Sequence, residues 1–141
     1  MAVYLVYTGA DMESYMCALE VIANHNDTLP ALGWRTIVRP GLNAPDAPHP
    51  ALMNGSVQIV IRGAIAVGVT AGDLRQVTGR LGDTFIFLDI EGQGHWTQPH
   101  EDEPFQAINI RVTEDWEALR KSFTGWPETM RGHPRAVSPP V

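Results

Sequence analysis

The amino-acid sequence predicts an α+β sandwich: a mixed β-sheet of about five strands packed with three helices, in the order βαββαββα. Three observations carry this expectation. Residues 2–8 (AVYLVYT) and 84–90 (TFIFLDI) are rich in β-branched and aromatic residues and apolar on both faces, as central strands are. Between residues 12 and 24 the apolar side chains recur at helical spacing. Asp11, Thr70 and Thr113 each stand just ahead of such a run, where a short oxygen-bearing side chain caps a helix.

The elements follow in order. Gly9 and Ala10 break the first strand. Asp11 then caps a helix with Met12, Tyr15, Met16, Leu19, Ile22 and Ala23 on one face, and Glu13 suits the helix dipole. Residues 34–39 (WRTIVR) alternate as a half-exposed strand that Pro40 closes. Residues 41–55 hold Pro45, Pro48 and Pro50 and read as a long loop. Residues 56–62 (SVQIVIR) form a strand, and Gly63 marks a bend before residues 64–69 continue the apolar run. Thr70 and Asp73 have capping-box spacing for a short helix buried through Leu74, Val77 and Leu81, although Gly79 weakens it. After the strand at 84–90, residues 91–104 are polar and loop-like. Residues 105–112 alternate as a strand. A last helix starts at Thr113, with Glu114 and Asp115 in its first turn, Arg120 and Lys121 near its end, and Trp116, Leu119 and Phe123 on its packing face; Gly125 ends it. The first six elements are in ferredoxin-like order, with one strand and one helix added. Residues 1–125 read as a single domain and the Pro-rich residues 126–141 as a tail.

Composition bounds the function. A chain of 141 residues with 44% hydrophobic and 18% charged residues is globular and of one-domain size. A net charge of −6 argues against a basic nucleic-acid-binding face and against docking on an anionic membrane. The single cysteine, Cys17, allows no internal disulfide, which fits a reducing compartment. The N-terminus has no basic segment followed by an apolar one. A cytoplasmic protein is therefore expected.

Three groups of residues could carry function. The densest is 89–103, where Asp89, Glu91, His95 and His100 are ligand types for Zn or Mn and also a potential acid/base set. Their spacing, D-x-E-x3-H-x4-H, matches no metal motif, and a solvated acidic loop is the plainer account. The second is Thr8, Gly9 and Asp11, where the start of the first helix could hold an anion or nucleotide. One glycine and no lysine make this neither a P-loop nor a dinucleotide fingerprint. The third is the set of edge tryptophans, Trp34, Trp96 and Trp126, with the acidic run Glu101, Asp102 and Glu103 beside Trp96. Cys17, next to Met16 and Leu19, reads as a buried structural thiol.

No catalytic motif emerges. The leading expectation is a non-catalytic binding protein of the inhibitor, immunity or assembly-factor kind, which needs no cofactor. It would meet a protein partner, basic by charge complementarity, through Trp96, Glu101, Asp102, Glu103 and Trp126. The low charge fraction is also compatible with a homodimer. The alternatives are a small metal-dependent hydrolase using Asp89, Glu91, His95 and His100, and a small anion sensor at Asp11.

Overall fold

The computed structural model describes residues 1–22, 31–41, 44–51, 55–100, 102–112, 117–128 and 130. Among them the chain forms ten strands and one short helix. The expected α+β sandwich with three helices is therefore corrected to an all-β sandwich. The strands are β1 Val3–Thr8, β2 Ser14–Val21, β3 Ala31–Arg39, β4 Ser56–Arg62, β5 Ile65–Gly68, β6 Gln76–Gly79, β7 Thr84–Leu88, β8 Trp96–Pro99, β9 Phe105–Val112 and β10 Phe123–Thr124; the helix α1 is Glu117–Lys121. They make a seven-stranded sheet, in the order β10-β2-β1-β7-β4-β9-β3, and a three-stranded sheet, β6-β5-β8. Pairing is antiparallel throughout except between β1 and β7.

Both faces of the large sheet are covered. On the inner face, Val6, Met16, Val60, Phe85, Phe87, Phe105 and Ala107 pack with Ile65, Val67 and Val69 from the small sheet and its exit. On the outer face, Leu5, Leu19, Val57, Ile86, Leu88 and Val112 pack with Leu119 and Met130, flanked by Phe123 and Trp126. This two-sided burial is why β1 and β7 are apolar without alternation. It also means that Trp126 and Met130, in the segment expected to be a tail, lie against the outer core. Among the described residues no helix is long and apolar enough to cross a membrane.

The first two predicted helices fail for physical reasons, and the third is found only as the short α1. The chain does not enter a helix after Asp11. It turns back through residues 9–13, with Gly9 N donating to Glu13 O at 2.9 Å and Met12 N to Gly9 O at 3.0 Å. Met12 takes the left-handed conformation, with φ 67°. β2 then pairs with β1 from Thr8↔Ser14 to Val3↔Leu19. Met16 faces the inner core while Cys17 and Leu19 face the outer one. A strand buried on both sides places apolar residues at neighbouring positions, and that mimics helical spacing. Residues 23 and 24 of the predicted helix lie outside the described residues.

Thr70 caps nothing. Its Oγ1 accepts from Ser14 N at 2.9 Å, and the residues after it bend into β6, which pairs with β5. Leu81, expected in a buried helical stripe, is 74% exposed. The last helix survives as α1 alone, with Arg120 and Lys121 in its final turn as the dipole favours. Residues 113–116, its expected start, lie outside the described residues. Two predicted loops also carry pairing. Residues 96–99 form β8 against β5, and the Pro-rich segment runs along β8, where His49 and His95 exchange backbone hydrogen bonds of 2.9 and 3.0 Å.

Candidate functional site

Alternation along three neighbouring strands sets up an inner polar face. On β3, Arg35, Ile37 and Arg39 occupy every second position; on β4, Ser56 and Gln58; on β9, Phe105, Asn109 and Arg111. The register places Arg35 and Gln58 on either side of Asn109, and Ser56 beside Arg111. These residues line a cavity of about 180 Å³ between the sheets. Ile65, Phe87, His95 and Thr97 complete its far wall, and Asp46, His49 and Ala51 of the Pro-rich segment its rim.

That segment is held in place from both sides. Asp46 N donates to Thr97 O at 3.0 Å and Ala51 N to Asp89 O at 2.9 Å. Gly94, with φ 76°, lies so close that a Cβ there would meet the backbone of His49 and Pro50. Arg39 adds a side-chain clamp. Its Nη2 donates to Asp46 Oδ1 at 3.1 Å and its Nη1 to Thr97 Oγ1 at 2.7 Å, while the Thr97 hydroxyl donates to Asp46 Oδ2 at 2.8 Å.

The second polar unit is deeper. Asp89, directly after β7, has no exposed surface, and its Oδ2 lies 2.7 Å from His95 Nδ1. Among the described residues its Oδ1 has no hydrogen-bond partner. The His95 ring stacks on Phe87 at a centroid distance of 4.2 Å and meets the His49 ring at 4.9 Å. A carboxylate at Nδ1 keeps a proton on that nitrogen, so Nε2 of the neutral ring is an acceptor. Nε2 hydrogen-bonds to no group among the described residues, and His95 lines the cavity.

The electrostatics run against the whole-molecule charge. The chain carries −6, yet Arg35, Arg39 and Arg111 are among the residues that line this cavity; among the described lining residues Asp46 is the one carboxylate, and the buried Asp89 stands behind His95. Arg39 is paired with Asp46, whereas Arg35 makes no ion pair among the described residues.

The residues singled out in the sequence are distributed as follows. Asp89 and His95 come together. Glu91 offers its backbone oxygen to the Thr8 hydroxyl at 2.9 Å, and His100 is exposed. Among the described residues no three His, Cys, Asp or Glu side chains are grouped to hold a metal ion. Thr8 ends β1 and Gly9 and Asp11 lie in the hairpin turn that follows, so the chain forms no helix start there. Asp11 instead accepts from Tyr15 OH at 2.6 Å and from Glu13 N at 3.1 Å, bonds that hold its carboxyl below the ordinary range and push the Tyr15 hydroxyl up.

The Trp96 indole lies over Gly68, and Trp126 packs on the outer core. Asp102 and Glu103 are exposed, with Glu103 Oε2 at 3.8 Å from Arg62 Nε. Glu101 and the Trp34 side chain lie outside the described residues. Cys17 is partly buried, and burial pushes its thiol up to about 11. The sequence reading passed over Arg35, Arg39, Asp46, Thr97, Asn109 and Arg111. Their signal was present as polar residues at every second position of apolar strands, R-x-I-x-R at 35–39 and N-x-R at 109–111.

No family model matches the chain, and no curated protein matches it. Solved structures do. The chain is similar to a cupin-2 domain containing protein from Shewanella frigidimarina NCIMB 400, at 14% identity and a TM-score of 0.42 over 64% of this chain and 84% of that one. It is similar to the Drosophila melanogaster CENP-C cupin domain, at 16% identity and 0.45 over 75% and 74%. It is similar to the Schizosaccharomyces pombe Cnp3 cupin domain, at 15% and 0.47 over 81% and 82%. The strand pairing described above, rather than these distant likenesses, defines the fold class.

Proposed function

We propose that the protein binds a small anionic molecule in the cavity between its sheets. The observation behind this is the concentration of Arg35, Arg39 and Arg111 around one cavity of an acidic chain. Arginine presents a planar fork of donors that matches a carboxylate or phosphate in two-point contact. Asn109, Gln58, Ser56 and Thr97 supply neutral polar contacts, and Ile37, Ile65, Phe87 and Phe105 an apolar remainder. A mostly apolar cavity with a few convergent polar groups is the usual make-up of a small-molecule site. This proposal puts anion binding in the cavity rather than at Asp11.

The test is calorimetric titration of the whole chain with phosphate, acetate, succinate and pyruvate. At least one should bind, and Arg35→Met should weaken it about tenfold or more, because a hydrogen bond to a charged group contributes about 1.5–3 kcal/mol. Binding by none of them, or an unchanged affinity in the variant, would refute the proposal.

A second reading, capture of a basic protein partner near residues 96–103, is supported by the exposed Asp102 and Glu103. It predicts capture that Asp102→Ala with Glu103→Ala abolishes and Arg35→Met leaves intact.

A further inference from the structure

We propose that the Asp89–His95 pair is the proton acceptor of that cavity, and that the anion held there is a small 2-oxo carboxylate whose carbon next to the ketone it deprotonates. The inference rests on the anion-binding reading and adds a reaction to it.

Several features point the same way. Asp89 is wholly buried and touches His95 at 2.7 Å. Burying a carboxylate is expensive, and one of its oxygens stays without a partner among the described residues. As a device for stability alone the pair is a poor one. As a device for catalysis it is economical. The carboxylate fixes the proton on Nδ1, which leaves Nε2 as the ring atom that takes up a proton from a substrate. The ring cannot swing away, because Phe87 stacks on one side and His49 closes another. Nε2 is thus a positioned lone pair in the wall of a cavity that also presents arginines. His95 is the catalytic residue in this scheme and Asp89 a positioning residue.

Those two parts together select the substrate class. An acceptor beside cations suits a reaction that removes a proton and develops negative charge on oxygen. In a 2-oxo acid the carboxylate and the ketone oxygen would face the guanidinium groups. The C–H bond next to the ketone breaks and its proton passes to Nε2. The electron pair left behind forms the C=C bond, and the carbonyl π pair moves onto oxygen, giving the enolate. The proton on Nε2 exchanges with solvent; return of a solvent deuteron to carbon then gives exchange, and delivery of a proton to oxygen gives the enol. The balance closes without an oxidant, a reductant or a second substrate. The cavity of about 180 Å³ restricts the substrate to a small one.

The test uses the whole chain and pyruvate in deuterium oxide, following loss of the methyl proton signal. The expected rate exceeds that of buffer by about 100-fold or more, the usual scale of a positioned base. His95→Gln should bring it close to the buffer rate and Asp89→Asn should lower it about tenfold or more. A nitrogen-15 spectrum of the unaltered protein should place the proton of neutral His95 on Nδ1, a readout that does not depend on any variant folding. If pyruvate binds without exchange above buffer, if His95→Gln exchanges as fast as the parent, or if the proton sits on Nε2, the proton-acceptor role falls and the anion site stands. If pyruvate does not bind, this inference falls as well; the other anions then decide the site itself.

Discussion

Asp89 Oδ2 lies 2.7 Å from His95 Nδ1, and Asp89 enters this contact with no exposed surface. Removing the histidine alone leaves a carboxylate buried without its partner. His95→Ala should therefore destabilise the fold by about 3 kcal/mol, whereas Asp89→Leu combined with His95→Phe should cost less than the single change. Urea unfolding of the three proteins measures this. A double variant as unstable as His95→Ala, or more so, would contradict it.

Gly94 fixes the rim of the cavity through its backbone. Its φ of 76° is unfavourable for other residues, and a Cβ would strike the backbone of His49 and Pro50. Gly94→Ala should lose about 2 kcal/mol or more and weaken anion binding, because residues 44–51 must shift. Gly82 has a similar φ of 87°, but a Cβ there meets only the Met1 side chain at 3.3 Å. Gly82→Ala should cost about 1 kcal/mol and leave binding unchanged. Equal losses of binding in the two variants would contradict the assignment of the rim.

How far the sequence could be read depends on what each strand faces. β1 and β7 were legible because both their faces are buried, which leaves continuous apolar runs. β2 was not, because Met16 serves one core while Cys17 and Leu19 serve the other, and the resulting spacing is shared with a helix. Thr70 resembled a cap because its hydroxyl does accept a backbone N–H, but the N–H is that of Ser14, 56 residues away. In the site, Asp89 and His95 were legible by residue type. Asp46 and His49 were not, since their place depends on a Pro-rich segment being stitched to β8. The arginines were legible in principle, from a two-residue period that an overall acidic charge obscured.

Phe85 of the large sheet lies with its ring over Gly79 of the small sheet. It is fully buried and stacks on Tyr4 at 5.5 Å and on Phe87 at 5.8 Å. Phe85→Ala should destabilise by about 3–5 kcal/mol, as large-to-small changes in a core do. Leu81→Ala, at a position 74% exposed, should stay within about 0.5 kcal/mol of the parent. Thermal unfolding of both separates this account from the helical one, in which Leu81 is a core residue.

Cys17 gives a pH signature. Burial raises its thiol from 9.0 to about 11, so the folded chain keeps this proton longer than the unfolded chain does. The stability it contributes is fully present below the unfolded value and is lost as pH rises from 9.0 towards 11. Iodoacetamide should react slowly at neutral pH and faster across that window, and Cys17→Ala should flatten the fall in stability there. Rapid alkylation at neutral pH would contradict the burial argument.

The most direct test of the anion cavity is an amide chemical-shift map of the whole chain during titration with the tightest anion of the calorimetric panel. The account predicts shifts concentrated at residues 35–39, 46–49, 56–58, 95–97 and 109–111, saturating with the calorimetric Kd. Shifts centred on the hairpin turn at 9–13 or on the exposed carboxylates at 102–103, with the five cavity segments unmoved, would contradict it.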